Sequence, residues 1–297
     1  MNIEFKAVGI SDRGRVLKYF ENHECPSLEY NFTTLFIWQK IFNTEIAEFN
    51  GCLLIKSGKS DRKSFLFPVG SGNEKEAVEA LLQYAKSQGY PLHFHSLMVE
   101  QKEFLEENFP DKFKFYEDRD SGDYVYSAES LKSLTGKKLA AKRNHINRFT
   151  ENNPEWEYVP MTIENIHEAM EMHGAWCDGL NCEDEPGLKD ETCAVKRAFK
   201  YFRELELSGA LLKTKAGVCA FTMGDKLNDK TFLVHIEKAF ADVQGAYPMI
   251  NKQFVINAAE GFEFINREDD TGDEGLRRAK LSYQPVCIIQ KFNAKEI

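Results

Sequence analysis

The stretch of sequence that decides the fold reads TFLVHIEKAFADVQGAYPMINKQFVINAAEGFEFINREDDTGDEGLRRAKLSY and covers residues 231–283. Its pattern predicts a strand at 231–236, a glycine turn at 243–246, a helix at 247–260 and a short strand at 262–265. A helix that begins after a glycine turn presents free backbone N–H groups, which favour an anion. A dense block of ionisable side chains follows. We therefore expect the chemistry of the protein in this stretch.

Composition limits the class of protein. The chain has 297 residues, of which 42% are hydrophobic, enough for a buried core, and the length suggests two domains or one large domain. The net charge of -9 argues against general coating of nucleic acid. Seven cysteines include no Cys-x-x-Cys pair, and the spacing of Cys177, Cys182 and Cys193 matches no common zinc site. We predict reduced structural thiols, no bound metal and a cytoplasmic protein.

The targeting signals of secreted and membrane proteins are missing from the pattern. No run of about 18 apolar residues suggests a spanning helix. The first residues, MNIEFK, lack the basic and apolar regions of a signal peptide. The expectation is a protein without a transmembrane segment.

The alternation of strands and helices predicts a mixed α/β fold. Asn50-Gly51 between two apolar runs indicates a hairpin. Asn73 is a candidate cap for an amphipathic helix at 74–88. The second half offers a long helix at 190–207 and a final strand at 286–292. Because the order of elements is similar in both halves, we divide the chain into residues 1–129, a basic connecting helix at 130–150, and residues 151–297.

Several motifs resemble the DUF2156 family, which is similar to the C-terminal catalytic domain of bacterial phosphatidylglycerol lysyltransferases. They are GKKL with KRNHI and Phe149, HIEKA at 235–239, GAY at 245–247, and NRED at 266–269 with KLSYQP at 280–285. The resemblance implies two tandem acyltransferase domains of the Gcn5-related N-acetyltransferase (GNAT) type, each a mostly antiparallel sheet flanked by helices. It also implies kinship with enzymes that move an aminoacyl group from charged tRNA to an amine or hydroxyl acceptor. From the pattern we expect no counterpart in these residues to the multi-span membrane domain of the full lysyltransferases.

The candidate catalytic residues are His235, Glu237 and Tyr283. His235 and Glu237 alternate on one predicted strand, so both should face the same side and take a proton from an attacking amine. The structural alternative is an ion pair of Glu237 with Lys238 or with a neighbouring strand, together with a histidine whose hydrogen bonds are satisfied within the protein. Tyr283 stands where acetyltransferases of the implied fold often place a general-acid tyrosine.

The turn Gln244, Gly245, Ala246 and Tyr247 is the candidate cofactor site. In acetyltransferases of the implied fold, a glycine-rich turn at this place holds the coenzyme A pyrophosphate. Only one glycine is present here, and an ordinary tight turn is the structural alternative.

The polar block and Lys280 are the candidate substrate site: Asn266, Arg267, Glu268, Asp269, Asp270 and Lys280. Its carboxylates suit a cationic amino acid or an α-amino group. The block lacks the alternating spacing of a calcium loop. Asp273 and Glu274 lie at a predicted helix start, where carboxylates favour the helix dipole.

The basic segment is the candidate phosphate site, through Lys137, Lys138, Lys142 and Arg143. Clustered cations without acids suit tRNA or an anionic phospholipid headgroup. A solvated helix face is the structural alternative, and Arg143 has a second interpretation as a structural tie.

We therefore predict an acyltransferase-like enzyme that uses aminoacyl-tRNA, with phosphatidylglycerol among the acceptors and a position at the inner membrane face. A coenzyme A-dependent N-acyltransferase using acetyl-CoA is the alternative enzyme. A non-catalytic protein that binds anions, lipid or RNA on the same fold is the third interpretation.

Overall fold

A computed structural model describes residues 3–21, 25–58 and 63–297. The chain forms two compact units. The first consists of the residues up to Asp123 together with Ile289–Ile297, and the second is Tyr124–Ile288. These bounds differ from the domains drawn from the sequence. The reason is that the segment after residue 123 pairs and packs with the second unit, while the last strand pairs in the sheet of the first.

In the first unit the helices are α1 Arg13–Phe20, α2 Phe32–Ile37, α3 Gln39–Phe42, α4 Glu74–Ser87 and α5 Val99–Asn108. The strands are β1 Lys6–Ala7, β2 Glu45–Phe49, β3 Cys52–Ser57, β4 Ser64–Phe65, β5 Val69–Gly70, β6 His93–Leu97 and β7 Phe113–Glu117, joined by β15 Phe292–Glu296 from the end of the chain. The strand order is β1-β2-β3-β4-β6-β15-β7, with β5 beside β3. Neighbours are antiparallel except β4 and β6.

Two local predictions in the first unit are confirmed. The hairpin turns at Asn50-Gly51, both of which have positive φ, and Phe49 pairs with Cys52. The Asn73 side chain accepts a hydrogen bond from the Glu76 N–H and caps α4. The sequence pattern at 12–22 also predicts a helix; the structure has α1 there at Arg13–Phe20, and Asn22 lies outside the described residues.

In the second unit the helices are α6 Ala128–Ser133, α7 Ala140–Asn152, α8 Ile166–Leu180, α9 Pro186–Lys200, α10 Ala246–Asn257 and α11 Glu274–Leu281. The strands are β8 Tyr124–Ser127, β9 Glu157–Pro160, β10 Ser208–Thr214, β11 Gly217–Lys226, β12 Thr231–Ala239, β13 Phe264–Asn266 and β14 Cys287–Ile288. The strand order is β14-β8-β13-β12-β11-β10-β9, and only the pair β12–β13 is parallel within the described residues.

The parallel pair shapes the second unit. The chain crosses from β12 to β13 through α10, whose apolar side joins the core of the sheet. β13 pairs with β12 only at Thr231, Phe232 and Leu233, whereas β12 continues to Ala239. The second half of β12 therefore faces the residues that follow β13 without strand pairing to them.

Two predicted elements are corrected. The final strand predicted at 286–292 is two strands, because β14 pairs with β8 in one sheet and β15 pairs with β6 and β7 in the other. The helix predicted at 190–207 is α9, which begins at Pro186 and ends at Lys200. Proline suits a first helical turn because its missing N–H has no intrahelical partner there.

Candidate functional site

An ion pair lies beside the second half of β12. Arg267, the residue after β13, donates from Nη2 to Oε1 of Glu237 at 2.7 Å. Asn251 of α10 donates from Nδ2 to the other carboxylate oxygen at 3.0 Å. The Glu237 and Arg267 side chains are only 10% and 12% exposed. The pair is thus largely removed from water, where its interaction is strengthened.

The surrounding structure fixes the position of Arg267. Its backbone N–H donates to the carbonyl of Tyr124 at 3.0 Å, and its own carbonyl accepts from Lys280 Nζ at 2.5 Å. The guanidinium carbon lies 4.7 Å from the centre of the Tyr283 ring and 5.7 Å from that of Tyr126. Such stacking orients the planar group as well as stabilising it.

A lysine from α7 completes the cluster. Lys142 Nζ lies 3.9 Å from the centre of the Tyr283 ring. Burial and the neighbouring charge of Arg267 lower the pKa of Lys142 to about 8, although Glu237 opposes the shift. Burial raises the pKa of Tyr283, so the phenol keeps its proton at neutral pH. We call Lys142, Glu237, Asn251, Arg267 and Tyr283 the Glu237–Arg267 cluster.

Two buried polar atoms in this cluster have no hydrogen-bond partner. They are Nη1 of Arg267 and Oδ1 of Asn251, one donor and one acceptor on either side of Glu237. Buried polar groups are nearly always hydrogen-bonded, so an unpartnered pair calls for a specific explanation. Both atoms have the capacity to bind a ligand group.

His235 has different partners from Glu237. Its Nε2 lies 3.0 Å from Asp225 Oδ1, and its Nδ1 lies 3.0 Å from Glu268 Oε1. Burial alone would favour the neutral ring, but the two carboxylates outweigh it and raise the pKa of His235 to about 10. The ring is therefore a buried cation at neutral pH.

The expected alternation of His235 and Glu237 is broken by an irregularity in β12. Met223 pairs with Ile236, but the next residue of β11 pairs with Val234, which leaves His235 as an extra residue. Val234 and Ala239 accordingly belong to the same core cluster, although strict alternation would place them on opposite faces.

The polar block at 266–270 is stabilised by hydrogen bonds within the block and to residues of β8 and α11. Asp270, fully buried, accepts from Arg277 Nε and Nη2 at 2.9 and 2.8 Å and from the Tyr124 hydroxyl at 2.6 Å. These hydrogen bonds lower the pKa of Asp270 despite its burial. The Asn266 side chain accepts from the Glu268 N–H at 2.7 Å, and the Asp269 carbonyl accepts from the Lys280 ammonium. The contacts of the block thus support the backbone on either side of Arg267.

Residues of α7 occupy the space beside Gly245 in the glycine turn. Gly245 is the N-cap of α10 with φ 84°, and a Cβ there would overlap the carbonyl of His145 in α7. Close packing of α7 accounts for this glycine. Ala246 is buried and donates its N–H to Val243, whereas Gln244 and Tyr247 are exposed.

The predicted phosphate residues separate into three environments. Lys142 belongs to the Glu237–Arg267 cluster. Arg143 donates to the carbonyls of Leu134 and Gly136, which ties the start of α7 to the preceding loop. Lys137 and Lys138 are exposed to solvent.

Sequence reasoning missed Asn251 and Tyr126. Asn251 is 1% exposed on the face of α10 that carries Ile250 and Phe254. A single amide among apolar residues was the available signal, since a buried amide needs partners. Tyr126 gave no signal, because an aromatic residue in a strand is ordinary core material.

Comparison with known proteins identifies the family. Residues 24–295 match the family model for the C-terminal domain of phosphatidylglycerol lysyltransferase. The chain belongs to this family. The predicted resemblance is therefore confirmed over almost the whole chain.

Several solved structures are similar in fold to this chain. A conserved protein of unknown function from Bacteroides thetaiotaomicron is 35% identical, with full coverage of both chains and a TM-score of 0.95. The C-terminal DUF2156 domain of a proposed lysylphosphatidylglycerol synthetase from Agrobacterium fabrum is 14% identical, covering 96% of this chain and 92% of that one, with a TM-score of 0.66. A tandem GNAT protein from the clavulanic acid biosynthesis pathway is 8% identical over 99% and 98%, with a TM-score of 0.51. The tandem GNAT-like fold is thus confirmed.

One further relative is an uncharacterised protein of Mycoplasmoides gallisepticum, 22% identical over 180 residues. The match covers 60% of this chain and 57% of the relative. Among the described residues, no helix has both the length and the apolar character that crossing a membrane requires.

Proposed function

We propose that this protein transfers an aminoacyl group from aminoacyl-tRNA to an amine or hydroxyl acceptor. The observation that carries the proposal is the Glu237–Arg267 cluster, in which a buried carboxylate lies between an unpartnered donor and an unpartnered acceptor. Membership of the lysyltransferase family supports this class of reaction. Phosphatidylglycerol is the first acceptor to test, at the membrane surface.

The cluster contains the groups that the reaction needs. The acceptor attacks the ester carbonyl and a new N–C or O–C bond forms, while Glu237 accepts the acceptor proton. The Nη1 group of Arg267 would donate to the developing oxyanion. The bond to the ribose oxygen of tRNA then breaks, and the protonated Tyr283 phenol is the candidate donor to that oxygen. Asn251 Oδ1 would accept from the α-amino group and orient it.

Replacing Glu237 by glutamine tests the proposal. Glu237→Gln keeps the shape but removes the proton acceptor, so we expect transfer from lysyl-tRNA to fall by about 100-fold or more. Glu274→Gln, at an 85% exposed side chain, is the matched control and should leave transfer unchanged. Thermal unfolding should verify that both variants fold. Transfer by Glu237→Gln at the wild-type rate would refute the assignment.

Lys142 gives a second test through pH. The ammonium is charged below a pKa of about 8, so phosphate binding should weaken as pH rises through 8. Lys142→Arg keeps the charge over this range and should remove that pH dependence. Equal pH profiles for wild type and Lys142→Arg would exclude Lys142 as a phosphate ligand.

The GNAT-like fold and the start of α10 beside β12 favour a second candidate, a coenzyme A-dependent N-acyltransferase using acetyl-CoA. We rank it lower because packing on α7 accounts for Gly245. Calorimetry with acetyl-CoA and with aminoacyl-tRNA separates the two enzymes. Salt-dependent binding of tRNA or anionic vesicles without turnover would instead favour a non-catalytic protein.

A further inference from the structure

A cavity of about 400 Å³ lies between α8 and α9 in the second unit. It has no part in the proposed transfer. Apolar side chains, two thiols, an imidazole and a hydroxyl line it, through Met170, His173, Cys177, Cys182, Thr192 and Phe199. Acidic side chains and a lysine also contribute to the lining.

The end of α8 brings the two thiols together. Asn181 follows the helix in the left-handed conformation, and the Cys182 N–H donates to the Cys177 carbonyl at 3.2 Å. This pattern is a Schellman motif, in which the side chains at the two cysteine positions contact each other. The neighbouring Cys177 side chain accordingly adds to the effect of burial in raising the pKa of the Cys182 thiol.

The two thiols differ in access. Cys177 is half-buried, with its sulfur 3.2 Å from the Thr192 hydroxyl and 3.7 Å from His173 Nε2. Cys182 is only 4% exposed, and burial raises its pKa to about 11. An incoming reagent therefore meets Cys177 first, and Cys182 stands behind it.

The imidazole in the cavity wall is uncharged. Burial, followed by the charge of Lys238, lowers the pKa of His173 to about 4. The residue is only 3% exposed, and its Nδ1 is buried without a hydrogen-bond partner. The wall thus retains hydrogen-bonding capacity for a polar molecule beside Cys177.

We propose that Cys177 and Cys182 form a redox-active dithiol that reacts with a low-molecular-weight disulfide in this cavity. The Cys177 thiolate attacks one sulfur of the disulfide, a mixed disulfide forms, and the first thiolate leaves. The Cys182 thiol then gives its proton to the released thiolate, its sulfur attacks Cys177 Sγ, and the second thiolate leaves. The protein dithiol is oxidised, the small disulfide is reduced, and the two thiol protons end on the two released thiols.

The test uses the full chain, glutathione disulfide and peptide mass mapping. Trypsin cleaves after Arg148 and Lys189, which places both cysteines in the peptide 149–189 and Cys193 in the peptide 190–196. We expect the first peptide to lose two hydrogens as the internal disulfide forms. Cys193, half-buried on α9, and the exposed Cys287 should accept at most a glutathionyl group.

Serine variants establish the order of attack. Cys182→Ser should trap one glutathionyl group on Cys177, whereas Cys177→Ser should leave Cys182 unmodified. Circular dichroism should show that both variants fold.

The proposal is overturned if wild type forms no internal disulfide under conditions that fully modify Cys287. It is overturned equally if Cys177 stays glutathionylated in the presence of Cys182, or if Cys177→Ser is modified at Cys182. None of these readouts depends on transfer activity.

Discussion

Each unit buries a cation against carboxylates, but the two cations differ in how many of their hydrogen-bond donors have a partner. In the first unit, the fully buried Lys291 donates to both oxygens of Glu29 at 2.9 and 2.7 Å and to Asp123 Oδ1 at 2.6 Å. In the second unit, Arg267 pairs with Glu237 but leaves Nη1 without a partner.

The difference teaches how to separate a structural ion cluster from a functional one. A lysine ammonium has three donors, and Lys291 uses them on three carboxylate oxygens. The carboxylates also accept from the Ser27 hydroxyl and the Leu28 N–H. The ammonium of Lys291 therefore has no donor left for a ligand, and its ion pairs hold the residue before β15 to the first unit. The Glu237–Arg267 cluster retains one open donor and one open acceptor.

The largest expected effect is on stability in the first unit. Lys291→Met leaves two carboxylates buried without their cation, so the free energy of unfolding should fall by about 3–5 kcal/mol. Urea denaturation measures the loss. Lys295→Met, at an exposed position of the adjoining strand β15, is the matched control and should change stability by no more than about 0.5 kcal/mol. A loss below about 1 kcal/mol for Lys291→Met would remove the contrast between the clusters.

Arg267→Lys should reduce transfer activity more than it reduces stability, the reverse of Lys291→Met. Lysine keeps a positive charge beside Glu237 but loses the planar fork and its open Nη1 group. We expect transfer to fall by about 100-fold. The loss of stability should be smaller than for Lys291→Met, because lysine keeps a cation beside Glu237 while losing the ring stacking. A variant that transfers normally would show that the open donor has no role in the reaction.

His235 is a third buried cation, and the pH dependence of its contribution to stability can be measured. Its folded pKa of about 10 lies above the unfolded value of about 6.5, so its contribution is fully present below pH 6.5 and is lost as pH rises through 10. The stability difference between wild type and His235→Asn should therefore shrink over that window, by up to about 1.4 kcal/mol per pH unit. Denaturation at pH 6, 8 and 10 measures it. A constant difference would mean that His235 is neutral in the folded protein.

The smallest effects belong to the exposed cations. Lys137→Ala with Lys138→Ala should change unfolding by no more than about 0.5 kcal/mol. The salt dependence of tRNA binding is the slope of log K against log salt concentration. If both lysines contact tRNA phosphate, removing each of them should reduce that slope by about one unit. An unchanged slope would assign these lysines to solvent alone.

The sequence predicted those features that depend only on residues close together in the chain. Asn50-Gly51 specified its hairpin because only a few residues tolerate positive φ in a two-residue turn. Asn73 specified the start of α4 because its side chain satisfies a backbone N–H that the helix leaves open. The motifs from Gly136 to Pro285 indicated the family, and the comparisons confirm it.

Long-range pairing decided the ends of the elements. The apolar run at 286–292 gave no sign of its division between two sheets, because strand partners lie far away in sequence. The extra residue in β12 was equally hidden, and it gave His235 and Glu237 different partners.

The sequence by itself determined the mixed α/β class, the family, and the charged residues from which a site is built. Only the tertiary structure decided which of them meet. It brought Glu237, Arg267, Tyr283 and Lys142 together from four separate segments and engaged Asp270 and Arg143 in structural hydrogen bonds. The physical reason is that a side chain's role depends on burial and on partners distant in sequence, neither of which a local pattern contains.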